Sequence, residues 1–293
     1  MGKGIRELRT RIRGVKNIAQ ITRAMEMVAS TKLKRLQERA ENARPFSEAL
    51  KALVARLAGR VDPEEFPLLK SPGTGRIGIL AVTADKGLCG AYNSNVFRMV
   101  RAFAAERAGR EIDLFVFGSR GASHFLSNPP RPAVAYQDPM EKIPFVRVRD
   151  VLRELSRRFL QGELGELHLI STRFLSQASQ KPEAAQLLPI SSAALLGEPD
   201  GPIPMVPMDP ILEPSVEVIF DSLLPKYLEV KVYGAILEAL ASEFAMRRIA
   251  MKAATDAAND MIVDLTRVYN RARQETITKE LLEIVGGAEA LKG

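Results

Sequence analysis

The chain has 293 residues, of which 46% are hydrophobic and 26% charged, and it carries a net charge of +7 with one cysteine. This composition supports a packed core and argues against wholesale disorder. No run of about 18 apolar residues occurs and no apolar signal region follows the N-terminus, so neither a membrane span nor a signal peptide is expected. The lone Cys89 excludes an internal disulfide and indicates a reducing compartment.

The first predicted element is a long helix within residues 1–58, because no proline occurs from Gly4 to Arg44. Pro45 is expected to bend or end it. Its apolar residues follow three- and four-residue steps in separate groups, which predicts a seam whose register slips between groups. The groups are Ile5, Leu8, Ile12 and Val15; then Ile18, Ile21, Met25 and Val28; then Leu33, Leu36, Ala40 and Ala43.

The excess charge lies on this first helix. Residues 1–40 contain eleven Lys and Arg against three Asp and Glu, whereas residues 226–293 contain ten of each sign. This asymmetry favours an electronegative partner along the first helix, with a solvated basic face as the alternative.

The middle of the chain has a different pattern. Residues 59–75 are rich in proline and glycine and are predicted to be a linker. Residues 76–198 alternate short apolar runs with amphipathic helices, which predicts an α/β domain with a mainly parallel sheet. Residues 199–214 contain six prolines and are predicted to be a second, extended linker.

A second long helix is predicted over residues 215–293, with Ser215 as its cap and Gly286-Gly287 as its stop. A heptad seam is sustained over five repeats. The predicted seam residues are Leu237, Leu240, Phe244, Arg247, Met251, Ala254, Ala258, Met261, Leu265, Val268 and Ala272. The predicted fold class is therefore α/β, with a long antiparallel coiled coil of the N- and C-terminal helices and an inserted Rossmann-like α/β domain. Two separate helices packed on a globular core are the alternative.

Catalytic and cofactor-binding patterns are weak. Gly73-x-Gly75-x-x-Gly78 matches a dinucleotide fingerprint, but it precedes an apolar run instead of following a strand, and no P-loop occurs. Cys89 and His124 could in principle form a thiol–imidazole pair. The loop 85–93 is interpreted as a tight turn that packs Cys89, with Asn93 capping the next helix and with catalysis as the alternative. No cofactor, metal site or catalytic residue is predicted.

Four segments carry a resemblance to a known family. They are Ile21–Ser30 (ITRAMEMVAS), Asp85–Asn93 (DKGLCGAYN), Ala250–Asn259 (AMKAATDAAN) and Val268–Gly287 (VYNRARQETITKELLEIVGG). With them, the chain resembles the γ subunit family of the F-type ATP synthases, the central stalk. It looks bacterial, because the chloroplast form carries an inserted segment with a cysteine pair and this chain has only Cys89.

The resemblance implies a rotor that transmits torque between the membrane c-ring and the α3β3 catalytic head, with the ε subunit beside it, and that couples proton flow to ATP synthesis or hydrolysis. It implies a non-catalytic subunit, attached peripherally to the cytoplasmic face of the bacterial inner membrane. It also implies coupling or β-contact roles for Met25, Arg247, Arg273 and Gln274, and a place near the c-ring for Glu213.

Two other classes of function remain at this point. An α/β enzyme with helical arms would need a catalytic constellation that the sequence does not offer. A coiled-coil nucleic-acid binder is suggested by the basic first helix, but the Met-rich seam and the balanced C-terminal helix do not favour it.

Overall fold

The computed structural model describes residues 3–73, 75–191, 195 and 213–290. The packing divides the chain into two units. One combines the described parts of Met1–Ser30 and Arg247–Gly293 and is called here the helical-pair unit. The other, Thr31–Met246, is called the α/β unit. The first and last helices each run through both units.

The described elements alternate in the middle of the chain as the sequence predicts. In chain order they are α1 (Lys3–Ala58), β1 (Arg76–Val82), α2 (Tyr92–Ala105), β2 (Ile112–Phe117), α3 (Ser119–Ser127), β3 (Pro132–Tyr136), α4 (Phe145–Leu160), β4 (Leu164–Phe174), β5 (Gln180–Leu188) and α5 (Val216–Ala290). Short 3-10 turns cover Pro63–Glu65, Pro67–Leu69 and Met140–Lys142.

The five strands form one sheet in the order β3-β2-β1-β4-β5. β1 pairs in parallel with β2 and β4, and β2 pairs in parallel with β3. Only the edge pairing of β4 with β5 is antiparallel among these strands. The prediction of a mainly parallel sheet in an α/β fold is therefore confirmed.

The central strands are buried on both faces, as parallel strands covered by helices must be. One face packs a cluster against α2 and α3 that comprises Ile77, Ile79, Ala81, Val96, Val100, Phe103, Leu114, Val116, Phe125 and Ile170. Alternate residues, including Leu80 and Phe115, project to the opposite face and are also fully buried. Each such side chain contributes roughly 2 kcal/mol through burial, so this sheet is the main core of the α/β unit.

In the helical-pair unit, the seam of α1 differs from the predicted one. Ile18, Ile21 and Val28 are 54%, 59% and 55% exposed, so they do not belong to the seam. The inward positions keep one uninterrupted heptad register through residues 5, 8, 12, 15, 19, 22, 26 and 29, and the predicted slip was wrong. Pattern matching failed because the true seam uses small or polar residues, Ala19, Thr22 and Ala29, beside larger apolar neighbours.

The seam of α5 in the same unit is partly as predicted. Met251 and Ala258 are buried, and Leu265 and Ala272 are half-buried, in agreement with the heptad. The intermediate positions are wrong by one residue, because Thr255, Ile262 and Tyr269 face inward where 254, 261 and 268 were expected. Met261 and Val268 are about half exposed.

The two helices run antiparallel. In the helical-pair unit, the hydroxyl oxygens of Thr22 and Thr255 lie 2.7 Å apart in the buried seam. In the α/β unit, Lys32 lies over the ring of Phe244, and Arg39 donates a 2.7 Å hydrogen bond to the hydroxyl of Tyr233. Rising numbers on α1 thus meet falling numbers on α5, which confirms the predicted coiled coil.

The ends of the long helices are partly as predicted. α1 continues through Pro45, where a bend or an end was expected, to Ala58, which is the predicted limit of the segment. α5 passes through Gly286-Gly287 to Ala290, so the predicted stop was wrong. The Ser215 cap is confirmed, because its Oγ accepts a 3.3 Å hydrogen bond from the N–H of Val218. Most of the predicted proline-rich linker, residues 199–212, lies outside the described residues. Among those described, no helix is both long and apolar enough to cross a membrane.

Candidate interaction surfaces and the encased helix

The residues wrongly predicted to lie in the seam form an exposed apolar stripe on the helical-pair unit. On α1 the stripe comprises Ile18, Ile21 and Val28, and on α5 it includes Met261 and Val268. Each position precedes a seam residue by one, so the stripe runs alongside the seam. Contiguous apolar surface on a helical pair marks a contact site for another protein.

Met25 and Arg247 lie near the same level of the helical-pair unit. Met25 is half-buried at the margin of the seam, and Arg247 is only 7% exposed. Because Thr22 faces Thr255, Met25 faces roughly residue 252, about 8 Å along the axis from Arg247. The structure therefore brings these two predicted coupling residues into one region.

Arg273 and Gln274 lie elsewhere on this unit, about 30 Å along α5 from the level of Met25. Both are exposed, and Gln274 lines a shallow depression with Arg271 and Leu282. By the Thr22–Thr255 register, residue 274 faces roughly Lys3. The following turns of α5 extend beyond the first described residue of α1 and expose Ile277, Leu281, Leu282, Ile284 and Val285.

The basic character of α1 is expressed as an exposed surface. The basic side chains on this surface of the helical-pair unit are Arg6, Arg9, Arg11, Arg13, Lys16 and Arg23. Further along, in the α/β unit, two of the basic residues of α1 have partners inside the chain: Lys32 binds Glu141, and Arg39 binds Tyr233. Lys34 and Arg35 are exposed as well, so the exposed positive charge of α1 lies mainly in its first 35 residues.

Glu213 is exposed and lies in the α/β unit, two residues before the cap of α5. The other four predicted interface residues belong to the helical-pair unit. The predicted site residues therefore form separate regions of the molecule and not a single pocket.

The loop after β1 organises the contact between α1 and the sheet, which the sequence did not reveal. Asp85 accepts hydrogen bonds from the backbone N–H groups of Ser119 and Met140, at 3.2 and 2.8 Å. Residue 141 follows directly, and its carboxylate binds Lys32 Nζ of α1 at 2.6 and 2.7 Å. Asp85 thereby fixes the backbone that presents Glu141 to α1.

Cys89 is buried in this loop against Ala84, Tyr92 and Met246. Asn93 does not cap α2 as expected, since its side chain accepts a hydrogen bond from the N–H of Ala84 and donates one to the Cys89 sulfur. This arrangement agrees with the interpretation of the loop as a tight turn that packs Cys89.

The suggested Cys89–His124 pair is not formed. The ring of His124 stacks on Phe97 with centroids 4.0 Å apart, and its buried Nε2 makes no hydrogen bond. Burial and the nearby Arg101 lower the pKa of His124. A neutral, stacked imidazole of this kind serves packing and cannot activate the thiol.

A segment of α5 in the α/β unit is enclosed on all sides. Every residue from Ile236 to Ala245 is buried except Glu238, which is half-buried. Ser242 Oγ donates a 3.3 Å hydrogen bond to the carbonyl oxygen of Thr172, and the Glu238 carboxylate lies near the backbone N–H of Phe174. Burial raises the pKa of Glu238 and outweighs the lowering effect of this N–H. The segment is called here the encased segment.

Within the described residues, no group of three or more His, Cys, Asp or Glu side chains could hold a metal ion. The surfaces that the structure does offer are an apolar stripe and a basic face on a helical pair, joined to an α/β unit. These features define a mechanical subunit that works through contacts with other proteins.

Comparisons with known proteins agree with this class. The family model described as ATP synthase matches residues 4–291. The ATP synthase gamma chain of Heliobacterium modesticaldum is 39% identical over 98% of this chain and 99% of its own length. That of Symbiobacterium thermophilum is 40% identical over the full length of both chains.

Solved structures show the same fold. A chain of the Tetrahymena thermophila mitochondrial ATP synthase central stalk and c-ring matches 80% of this chain and 99% of its own, with a TM-score of 0.58 and 25% identity. A chain of the Euglena gracilis mitochondrial ATP synthase matches 99% of this chain and 95% of its own, with a TM-score of 0.68 and 22% identity.

The chain belongs to the ATP synthase gamma-chain family. It functions as a rotary central-stalk subunit of the F1Fo ATP synthase and is not itself an enzyme.

Proposed function

We propose that this chain carries torque between a membrane c-ring and an α3β3 head. In this proposal the helical-pair unit turns inside the head, and the α/β unit works at the c-ring beside an ε subunit. The complex lies on the cytoplasmic face of a bacterial inner membrane, and this chain is attached peripherally.

The observation that carries the proposal is the exposed apolar stripe next to the seam. Ile18, Ile21 and Val28 on α1 are more than half exposed in the isolated chain although each is a large apolar residue. A helix that kept only its seam covered would expose polar groups at these positions. Enclosure by partner subunits gives this stripe a surface to contact.

The basic face supports the same arrangement. Six basic side chains of α1 are exposed in the helical-pair unit. Attraction between this face and acidic loops of surrounding subunits would be long-range and would not lock one orientation, because exposed charges interact over about 8–10 Å at physiological salt. A rotor needs such attraction without a deep anchor.

The predicted coupling residues divide between two levels of the helical-pair unit. Met25 presents a flexible thioether that repacks against a moving surface at low cost. Arg247 lies near it, whereas Arg273 and Gln274 lie where Arg273 can offer a planar fork to a carboxylate of a β subunit. Glu213, in the α/β unit, is proposed to lie near the c-ring.

The test is reconstitution. Purified α and β subunits are combined with and without this chain, and complex assembly and ATP hydrolysis are measured. We expect this chain to co-purify with α and β and to raise their turnover. Assembly and full turnover without the chain would overturn the proposal.

A second measurement addresses the basic face. Charge reversal at Arg9, Arg13 and Lys16 should change assembly or the salt dependence of turnover, because these side chains are exposed. Reversal of an exposed charge on α4, such as Arg157→Glu, is the control. Unchanged assembly and an unchanged salt profile in the triple variant would remove the electrostatic part of the proposal.

A further inference from the structure

At the carboxyl edge of the sheet, the encased segment of α5 packs against the strand ends. β1 lies between β2 and β4, and the chain leaves β1 to build the sheet first on one side and then on the other. In open α/β sheets this switch point is the crevice in which ligands bind. In this chain, residues at the end of β4 contact the encased segment of α5, and residues that follow β1 contact Met246, directly after that segment.

The first contact joins α5 to the end of β4. Ser242, which is fully buried, donates its hydroxyl to the carbonyl oxygen of Thr172. Thr172 faces Pro182 across the antiparallel ladder, and proline has no N–H to donate. The parallel register of β4 with β1 ends earlier, at Ile170. Ser242 therefore supplies the carbonyl oxygen of Thr172 with a hydrogen-bond donor at the end of the strand.

The second contact lies one helical turn earlier on the same face of α5. The Glu238 carboxylate lies near the backbone N–H of Phe174, the last residue of β4, and this N–H opposes the rise that burial causes in the pKa of Glu238. Residues four apart lie on one side of a helix, so Glu238 and Ser242 together hold one side of α5 against the strand end. The Ser242 hydrogen bond and the polar contact of Glu238, both on one face, resist sliding and rolling of the helix.

The opposite side of α5 is held by α1. Phe244 is about 200° around the helix from Ser242, and Lys32 Nζ lies 5.3 Å from the centre of its ring. Lys32 is fixed in turn by the bidentate contact with Glu141, whose backbone position depends on Asp85. The encased segment is therefore held on two opposite sides, by the end of β4 and by α1.

A third contact is apolar and comes from the loop after β1. Met246 packs against the buried cluster of Ala84, Cys89 and Tyr92. It is about 40° around the helix from Ser242, so it extends the side held by the strand end by one further turn. Loop 85–93 therefore contacts α5 through Cys89 and Tyr92, in addition to positioning Glu141 through Asp85.

We propose that the crevice at the switch point of the sheet is a torque joint, in which Glu238 and Ser242 on one side and Phe244 on the other fix α5 against rotation relative to the sheet. The inference rests on the rotary function of the family. Glu238 and Ser242 are positioning residues, since they hold the helix that carries the torque and contact no substrate. A space that holds a nucleotide in other doubly wound folds is thereby used for mechanical coupling.

The test uses the assembled F1Fo complex in inverted membrane vesicles. The double variant Glu238→Ala/Ser242→Ala removes the hydrogen bond of Ser242 and the polar contact of Glu238 with the end of β4. ATP hydrolysis and ATP-driven proton pumping are measured on the same vesicles. We expect hydrolysis to stay within about two-fold of the parent, while the ratio of pumping to hydrolysis falls by at least three-fold because the joint slips. Ser242→Ala alone provides the same test with a smaller decrease if the double variant assembles poorly.

Two further variants separate slipping from general damage. Ser222→Ala is the matched control, because Ser222 is exposed on the same helix and donates only to Ile219 of that helix; its ratio should equal the parent's. Glu238→Gln keeps an acceptor for Phe174 and should restore the ratio that Glu238→Ala lowers. A parental ratio in both Ser242→Ala and the double variant would overturn the joint, as would equal losses in Ser222→Ala.

Failure of the joint and failure of the rotor give different results. Vesicles lacking this chain should lose pumping altogether if the rotary function holds. Vesicles that pump normally without the chain would contradict the rotary function itself. Loss of pumping without the chain, combined with a parental ratio in the joint variants, would contradict the joint alone.

Discussion

The same helix, α5, is held in two different ways along its length. From Ile236 to Ala245 it is enclosed on all sides within the α/β unit, and Ser242 of this stretch bonds to the sheet. From Arg247 to Gly287, in the helical-pair unit, only the seam is covered, and the outer face is exposed. One stretch is fixed in its own subunit, whereas the other is available to neighbours.

The difference shows that a rotor needs different kinds of contact in the segment fixed within its own subunit and in the segment that meets changing partners. A fixed segment needs directional bonds and close packing, which Ser242 and Phe244 provide. A segment that meets several surroundings in one turn needs small seam residues and a weakly anchored exterior. Ala19 and Ala258 allow the helices to approach closely, while the exterior presents the exposed apolar stripe and the exposed basic side chains of α1.

The largest expected effect is a difference in the free energy of unfolding between substitutions in the two stretches of α5. Leu240→Ala, in the encased segment, should lower the free energy of unfolding by about 3 kcal/mol, because it leaves a cavity at a side chain that is 2% exposed. Leu282→Ala, on the same helix but 67% exposed, should change it by less than about 0.5 kcal/mol. Urea unfolding of the full chain measures both, and equal losses would break the comparison.

A smaller effect is expected in the seam of the helical-pair unit. Thr22→Val removes the buried hydrogen bond to Thr255 and should cost about 1 kcal/mol. Thr10→Val is the control, since its hydroxyl is exposed and bonds only to the carbonyl of Arg6 on the same helix. Urea unfolding again provides the measurement. A Thr22→Val variant as stable as Thr10→Val would show that the hydroxyl pair contributes nothing to the seam.

The pH dependence of stability should reveal the carboxyl group in the encased segment. The pKa of Glu238 is raised in the folded chain, chiefly by burial, so its contribution favours folding below the unfolded pKa and is lost as the pH rises. Glu238→Gln should therefore match the parent near pH 4 and become the more stable of the two at pH 7. Glu275→Gln, an exposed substitution, controls for the loss of charge. A parent that gains stability relative to Glu238→Gln on raising the pH would contradict the sign.

The smallest stability effect is expected at the exposed end of α5. Arg273→Ala and Gln274→Ala should change the free energy of unfolding by less than about 0.5 kcal/mol, because both side chains are exposed. In the assembled complex, the same variants should lower ATP-driven pumping. Arg267→Ala, which is also exposed on α5, should leave both quantities near the parent. Pumping at the parental level would remove these two residues from the coupling surface.

The sheet and the long helices could be predicted because their signals are local. Buried strands such as β1 appear as short apolar runs, and the absence of proline marks the helices. The seam could not be placed correctly, because Ala19, Thr22 and Thr255 are weaker apolar signals than the exposed Ile18 and Ile21 beside them. Apolar counting selects the larger residue, whereas a close helix pair selects the smaller one.

The encased segment was missed for a different reason. Its hydrogen-bond partners on β4 are about 70 residues away in sequence, and a buried serine such as Ser242 has no distinguishing local pattern. The role of Asp85 was hidden in the same way, since its acceptor function depends on the backbone of Met140. Contacts between distant elements follow from the fold and leave no periodic trace in the chain.

The most direct test of the central claim is the rotation of a single complex. A probe is attached to the exposed face of the α/β unit, for example at Ser123→Cys on α3, in an α3β3 complex fixed to a surface and supplied with ATP. The account predicts rotation of the probe in one direction that depends on ATP. Sustained ATP hydrolysis with a stationary probe would contradict it.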